Sequence, residues 1–464
     1  MSDIAHRLGS VLGPGQVLTG PALSDDYTHD EALTVAPARP ACVVRPETTA
    51  DVAAILRAAV ELRVPVTARG SGTGLSGACV PEPDGIVVSF ERMVRILEID
   101  TENHVVVVQP GVTLDRLDEA LLPHRLVYPV FPGEYSASLG GNVATNAGGM
   151  RAVKYGVTRH QVLGLEAVLA SGDTIRTGGK YVKATTGYDL TQLIVGSEGT
   201  LALVTEATLK LYPRPAHQAT VLAPFGTLDE ITAAIPRIVD SGIGPLILEY
   251  IDMLTMSATS AYTGLDLGIP QEVKDTALAY LVVMMENASD TRLDEDVATL
   301  GEQLFELGAV DVYVLPPAAA AQLSDAREKA FWMAKANNAD DIVDVVVPRA
   351  QIPEFMARVT AIGKEHGAWI AGCGHAGDGN VHLGIFQPDP EARHRVMQGL
   401  FEAGIELGGT ISAEHGIGRA KQRYFLALED PVKLDLMRRI KDAFDPHGIL
   451  NPGTLFGPDM RESR

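Results

Sequence analysis

Two short segments in the C-terminal half hold residue types that could do chemistry. Gly374-His-Ala-Gly-Asp-Gly-Asn-Val-His-Leu-Gly-Ile385 sets His375 and His382 on either side of an Asp378-Gly379 turn signal. A hairpin there would bring the two imidazoles together. Thirty residues on, Ile411-Ser-Ala-Glu-His-Gly-Ile-Gly418 places Glu414 and His415 among small residues, where backbone can approach a site. Two imidazoles and a carboxylate are a ligand set suited to zinc or a similar divalent ion. A zinc hydrolase using His375, His382, Glu414 and a bound water would need the same set. So would a buried hydrogen-bonded His–Glu cluster that holds no metal.

Glycine clusters supply a second chemistry. Gly72-Thr-Gly74-Leu-Ser-Gly77 satisfies GxGxxG after a strand-like run, but Pro81 and Pro83 forbid the helix a dinucleotide fold would open there. What remains is a nest of backbone N–H groups with Arg69, Ser71 and Thr73, a composition that suits a pyrophosphate. Pro132 to Gly149 has few side chains large enough to fill a core and many small donors and acceptors, among them Ser138, Asn142, Thr145 and Asn146. Ordering such a stretch is costly unless an extended polar ligand supplies partners. Gly187 to Leu201 repeats the pattern.

These segments need a frame to hold them. Helical spacing of Val52, Ile55, Leu56 and Val60 predicts a helix over 49–62, with Thr48, Thr49 and Asp51 as capping candidates. Short β-rich runs at 64–67, 86–90, 105–109, 162–170 and 202–211 make residues 1–216 an α+β unit. From 217 to 410 longer helices (228–239, 293–307, 319–335) alternate with strands (246–251, 277–284, 310–315, 343–347), which predicts a second α+β unit built on an antiparallel sheet. Residues 411–464 add a helix over 431–444 and a turn-rich tail. The 464 residues are 46% apolar and carry a formal charge of -21, so nucleic acid and anionic membrane are excluded as partners by repulsion. No apolar stretch reaches membrane-spanning length, and the N-terminus does not read as a signal peptide. Cys42, Cys79 and Cys373 cannot form a disulfide framework, which points to a reducing, cytoplasmic setting.

RGSGTGLSG, GGNVATNAGG, TGYDLTQLIVGSEGTL, GHAGDGNVH and SAEHGIG together resemble the vanillyl-alcohol oxidase / para-cresol methylhydroxylase superfamily. The match is to the branch of D-lactate dehydrogenase, the glycolate oxidase catalytic subunit and D-2-hydroxyglutarate dehydrogenase. The resemblance implies an FAD-binding domain of two α+β subdomains, a cap with an antiparallel sheet, and a C-terminal segment returning to the FAD domain. It implies that Arg69, Gly70, Ser71, Gly72, Thr73, Gly74 and Gly77 hold the FAD pyrophosphate. Gly133, Gly140, Gly141, Asn142, Thr145, Asn146, Gly148 and Gly149 would line the flavin and ribityl region. Glu198, Gly199 and Val204 would meet the adenine half, and Asn451 would approach the isoalloxazine.

By the same resemblance His375, His382 and Glu414 bind the metal (zinc, with manganese and iron as alternatives), His415 is the catalytic base, and Arg327 binds the substrate carboxylate. Asn380 would lie beside the site. The first loop has no histidine, so the expected FAD is non-covalent. The implied reaction oxidises a D-2-hydroxy acid through hydride transfer to flavin N5. The D-2-hydroxyglutarate branch carries a cap-strand lysine where this chain has Ile342, which favours a glycolate- or D-lactate-like monocarboxylate over a diacid. Phe331, Trp332 and Met333 could shape an apolar pocket. An electron-transfer flavoprotein, a cytochrome, a quinone or an iron–sulfur partner subunit would take the electrons, and a homodimer is left open.

Overall fold

Three main sheets position the site in the computed structural model, which describes residues 3–457. The first has four strands in the order Val17–Leu18, Cys42–Val44, Ile86–Ser89, Val66–Arg69. Cys42–Val44 and Val66–Arg69 both run parallel to Ile86–Ser89. The helix Thr49–Leu62 packs on this sheet through buried Val52, Ile55, Leu56 and Ala59, and Thr48 and Asp51 close its first turn as a reciprocal capping box.

The second sheet has five antiparallel strands in the order Ile96–Asp100, Val105–Val108, Leu203–Lys210, Val162–Val168, Thr174–Gly178. The third is antiparallel throughout, with seven strands in the order Tyr313–Leu315, His217–Phe225, Ala279–Asn287, Ile247–Asp252, Trp369–Gly374, Asn380–Phe386, Asp341–Val346. Alternate residues of its strands enter different cores. Val221, Ala223 and Phe225 pack with the helices Leu228–Asp240, Asp290–Glu306, Ile352–Glu365 and Pro390–Glu406, while Leu222 packs with Met253–Thr263 and Pro317–Glu328.

Two elements differ from expectation in ways that shape the site. The helix predicted over 319–335 breaks at Lys329 into Pro317–Glu328 and Ala330–Ala336, so its two halves can face different parts of one cavity. Leu139–Thr145 is helical within a stretch for which the sequence predicted no element, although each glycine costs a helix about 1 kcal/mol. Packing explains it: a Cβ on Gly140 would stand 2.5 Å from Pro110 Cβ. The tail after the helix Pro431–Phe444 returns to the first sheet, where Leu450 bridges in parallel to Val66 and Asn451 N donates to Val66 O at 2.7 Å.

Candidate active site

The strands Trp369–Gly374 and Asn380–Phe386 form a hairpin through the turn Ala376–Asp378, with Gly379 in the left-handed region at φ 83°. This brings the rings of His375 and His382 to 4.8 Å between centroids. Segment 410–412 joins the edge of the same sheet by bridges Thr410 to Val346 and Ser412 to Asp344, which delivers Glu414 and His415 to the hairpin. Three imidazole Nε2 atoms then face one oxygen: Glu414 Oε1 lies 3.3 Å from His375, 3.2 Å from His382 and 3.9 Å from His415.

Two buried carboxylates stand behind the imidazoles, and sequence reasoning missed both. Glu249 pairs through Oε1 with His375 Nδ1, and its Oε2 accepts from Arg327 Nε at 2.9 Å. Asp344 lies 3.7 Å from His382 Nδ1 and 3.9 Å from His415 Nδ1. A carboxylate within an apolar strand was the available signal, since an acid buried there must be paired. Asp344, His382, Glu414 and His415 offer ligand atoms within 4.8 Å of one another, so Asp344 is a geometric candidate for a ligand. Its oxygens are already taken. Oδ2 accepts from Ser412 Oγ and from the backbone N–H groups of Ala413, Glu414 and His415 at 2.8, 3.1, 3.0 and 2.9 Å. Oδ1 accepts from Asn380 Nδ2 at 2.9 Å, and Lys421 Nζ is 3.6 Å from Oδ2. Asp344 therefore holds the segment that carries Glu414 and His415, the place a carboxylate takes behind imidazoles at a metal site.

His375 and His415 are pushed in opposite directions. Burial opposes protonation of His375, but Glu249 and Glu414 outweigh it and push the ring up to about 10. Burial dominates at His415 and, with Lys421 and His382 adding to it against Asp344, brings it down to about 4. Glu414 is held well below the usual carboxylate range, because His375 and His382 overcome its burial.

The glycine segments form one groove of about 180 Å³ lined by Gly70, Ser71, Gly72, Thr73, Gly74, Gly140, Gly141, Asn142, Thr145, Gly148, Glu198, Gly199 and Val204. Its polar fit to an extended ligand shows at Asn142, whose Nδ2 is buried without a hydrogen-bond partner. Five residues expected there lie behind it. Arg69 donates from Nη1 to His29 O at 2.5 Å, Gly77 (φ 79°) backs onto Val35, and Gly149 (φ 122°) lies against the Phe131 carbonyl. Asn146 ends the helix Leu139–Thr145 at φ 53° and accepts from Arg159 N. Asn451 Nδ2 donates to Ala78 O and Glu198 O at 2.9 and 2.8 Å, so it ties the two wall loops together. Gly133 lines the neighbouring cavity instead. Glu198 lines the groove and also accepts from Ile417 N and Gly418 N, both at 2.8 Å. The Cys79 thiol is pushed up to about 12 by burial, which makes it a poor nucleophile.

A larger cavity of about 350 Å³ adjoins this groove and contains Arg327, His375 and His382; Glu414 and His415 line both spaces. Residues 40–178 match the FAD binding domain model, and residues 214–455 match the model for FAD linked oxidases, C-terminal domain. The chain belongs to the FAD-linked oxidase family. An uncharacterized FAD-linked oxidoreductase of Mycobacterium tuberculosis is 57% identical over 98% of this chain and 100% of its own length. A D-lactate dehydrogenase of Anaerostipes hadrus is 36% identical over 96% of this chain and 95% of its own length. The structure of p-cresol methylhydroxylase with substrate bound superposes with a TM-score of 0.80 over 98% of this chain and 96% of its own, at 17% identity, a likeness of fold. A match to an FAD binding domain gives the groove, lined mostly by residues within 40–178, a use that a zinc hydrolase would not. Among the described residues of this FAD-linked oxidase, no helix is long and apolar enough to cross a membrane.

Proposed function

We propose that this FAD-linked oxidase converts a D-2-hydroxy monocarboxylate to the 2-oxo acid, with FAD held non-covalently and a divalent ion, zinc or else manganese or iron, on His375, His382 and Glu414. The observation that carries the reading is that Glu414 and His415 line both the flavin groove and the cavity, so a hydroxy acid on this pair adjoins the flavin. When bound, FAD supplies a hydride sink and the divalent ion a Lewis acid for the hydroxyl and carboxylate oxygens. His415 takes the hydroxyl proton at Nε2, a role its neutral ring suits near pH 7. Asp344, beside His415 Nδ1, steadies the positive charge that results. Arg327 anchors the substrate carboxylate: it lines the cavity, and burial fails to discharge it because Glu249 Oε2 lies 2.9 Å from both its Nε and its Nη2. The other acidic side chains there, Glu134 and Glu328, oppose a second substrate carboxylate, and Arg327 is the one Lys or Arg among the lining residues. The relative named a D-lactate dehydrogenase supports both the acid class and the D configuration.

A panel of D- and L-2-hydroxy acids with a dye acceptor, run with and without chelator, tests the reading. D-acids should reduce the dye, and chelation should abolish the rate until metal is restored. Preference for L-acids would overturn the stereochemistry, and full activity in chelator would overturn the metal.

A further inference from the structure

The cavity extends well beyond the space a three-carbon acid would occupy at Arg327 and His415. Its floor is one face of the cap sheet, laid out in rows by strand register. Cys373 pairs with His382, then Ala371 with Gly384, then Trp369 with Phe386. On the outer strand Ile342 pairs with Gly384. The residues of these three rows all line the cavity. The last row lies four residues from the first, about 13 Å at ~3.3 Å per residue. Between them the floor is bare, since the middle row of the hairpin is glycine and alanine. A Cβ on Gly384 would meet Phe386 at 3.4 Å and Ala334 at 3.8 Å, so the helix Ala330–Ala336 roofs a trough of methyl-group height.

The trough changes chemistry along its length. Arg327, the histidines and Glu414 stand at one end. Ile342, Ala371, Gly384, Trp369 and Phe386 bring no polar side-chain group except the indole N–H at the other. That far end is also open and apolar: Trp369 is 55% exposed and packs on Phe386 with ring centroids 5.0 Å apart, and Trp332 is 37% exposed. A hydrophobic wall left in water gains from a ligand that covers it.

Resting on the proposed reaction, we infer that the substrate is a 2-hydroxy monocarboxylic acid with a long or aromatic apolar side chain, whose tail lies along this trough and ends against Trp369 and Phe386. Lactate and glycolate would leave the distal rows empty.

The test uses the FAD-loaded enzyme and a series of D-2-hydroxy acids from lactate through 2-hydroxyoctanoate, with 3-phenyllactate as the aromatic probe. kcat/KM for dye reduction should rise about fourfold per added methylene until the trough is filled, reaching about 10²-fold after three or four methylenes. A second readout is binding itself. The chain has two tryptophans, Trp332 and Trp369, and both line the cavity, so their fluorescence reports on it alone. Octanoate-length acids should shift it at concentrations where lactate does not. Gly384→Leu, which fills the middle row, should bring the long-to-short ratio of kcat/KM close to one. Trp369→Ala, at an exposed edge where folding is not at risk, should lower that ratio several-fold. Flavin reduction that favours lactate, or a ratio untouched by both variants, overturns this inference and leaves the proposed reaction standing. Failure of every acid in the series, lactate included, to reduce the flavin overturns the reaction and the inference together.

Discussion

Three imidazoles around one carboxylate oxygen are not interchangeable: the far nitrogen of His375 faces Glu249, while those of His382 and His415 share Asp344 through different oxygens. His375 backs onto Glu249, is pushed up to about 10, and in the metal-free protein is a cation paired with Glu414. A divalent ion would replace that proton, and Glu249 would then fix the tautomer that offers Nε2 as ligand. His415, brought down to about 4 mainly by burial, already holds a free lone pair at neutral pH. The roles are therefore separable. His375→Ala and His382→Ala should each lose metal and activity together. His415→Ala should keep metal and FAD while turnover falls about 10²–10⁴-fold, the usual worth of a general base. Metal analysis beside dye-reduction kinetics reads both, and loss of metal from His415→Ala would break the division. His375 and His382 were legible as neighbours because they flank the Asp378-Gly379 turn signal, and Glu414 and His415 stood out as a pair among small residues. Glu249 was not, since its imidazole partner is 126 residues away and only the fold makes them neighbours.

At the scale of elements, the segment after Ser412 is held as a loop by single carboxylates on either side. Asp344, on the edge strand Asp341–Val346, gathers the backbone N–H groups of three successive residues, two of them Glu414 and His415. An asparagine there offers one acceptor oxygen and no charge to Lys421. Asp344→Asn should weaken metal binding about 10–100-fold. It should also cost about 3–5 kcal/mol of stability, as expected when a buried ion loses its partner. Titration with a metal indicator and denaturant melts check the two effects; unchanged metal affinity would mean that Asp344 does not orient the site.

Glu198, which lines the glycine groove, grips the next residues from the other side, at Ile417 and Gly418. Burial raises its carboxyl from 4.5 to about 7 against those two hydrogen bonds. A carboxyl with a raised folded pKa contributes stability that is fully present below 4.5 and is lost as pH rises through about 7. Melting temperature should therefore fall between pH 5 and pH 8 by more in the wild type than in Glu198→Gln. Equal slopes would show that Glu198 is ionised throughout. Propensity and period found the helices at 49–62 and 431–444 to the residue, because both carry strong periodicity and clear end signals. The same reasoning missed the helix Leu139–Thr145, which exists through close packing on Pro110, a contact that no local pattern encodes.

For the whole molecule, the C-terminal tail closes the circuit between the units. Buried Lys441 donates to Thr200 O, Leu450 O and Asp445 Oδ2 at 2.7, 2.8 and 2.6 Å, and Asn451 then ties loop 78 to loop 198. The groove walls are thus fixed by protein contacts, while Asn142 Nδ2 still lacks a partner inside them. A groove built in advance of its ligand can hold FAD by fit and hydrogen bonds, without a covalent bond. The side chains nearest the first glycine loop agree, since that loop contains no histidine and Cys79 is kept protonated by burial. Acid precipitation of the purified protein should accordingly release all the yellow colour into the supernatant. The FAD-free protein left after milder extraction should refold around added FAD and melt at a higher temperature, with a gain that grows with FAD concentration as expected for a ligand bound only by the native state. At a hundredfold excess over its dissociation constant that gain is about 2.7 kcal/mol. Colour that stays in the acid pellet would mean a covalent flavin, and the attachment site would then have to be sought outside the first loop, among the other residues that line the groove.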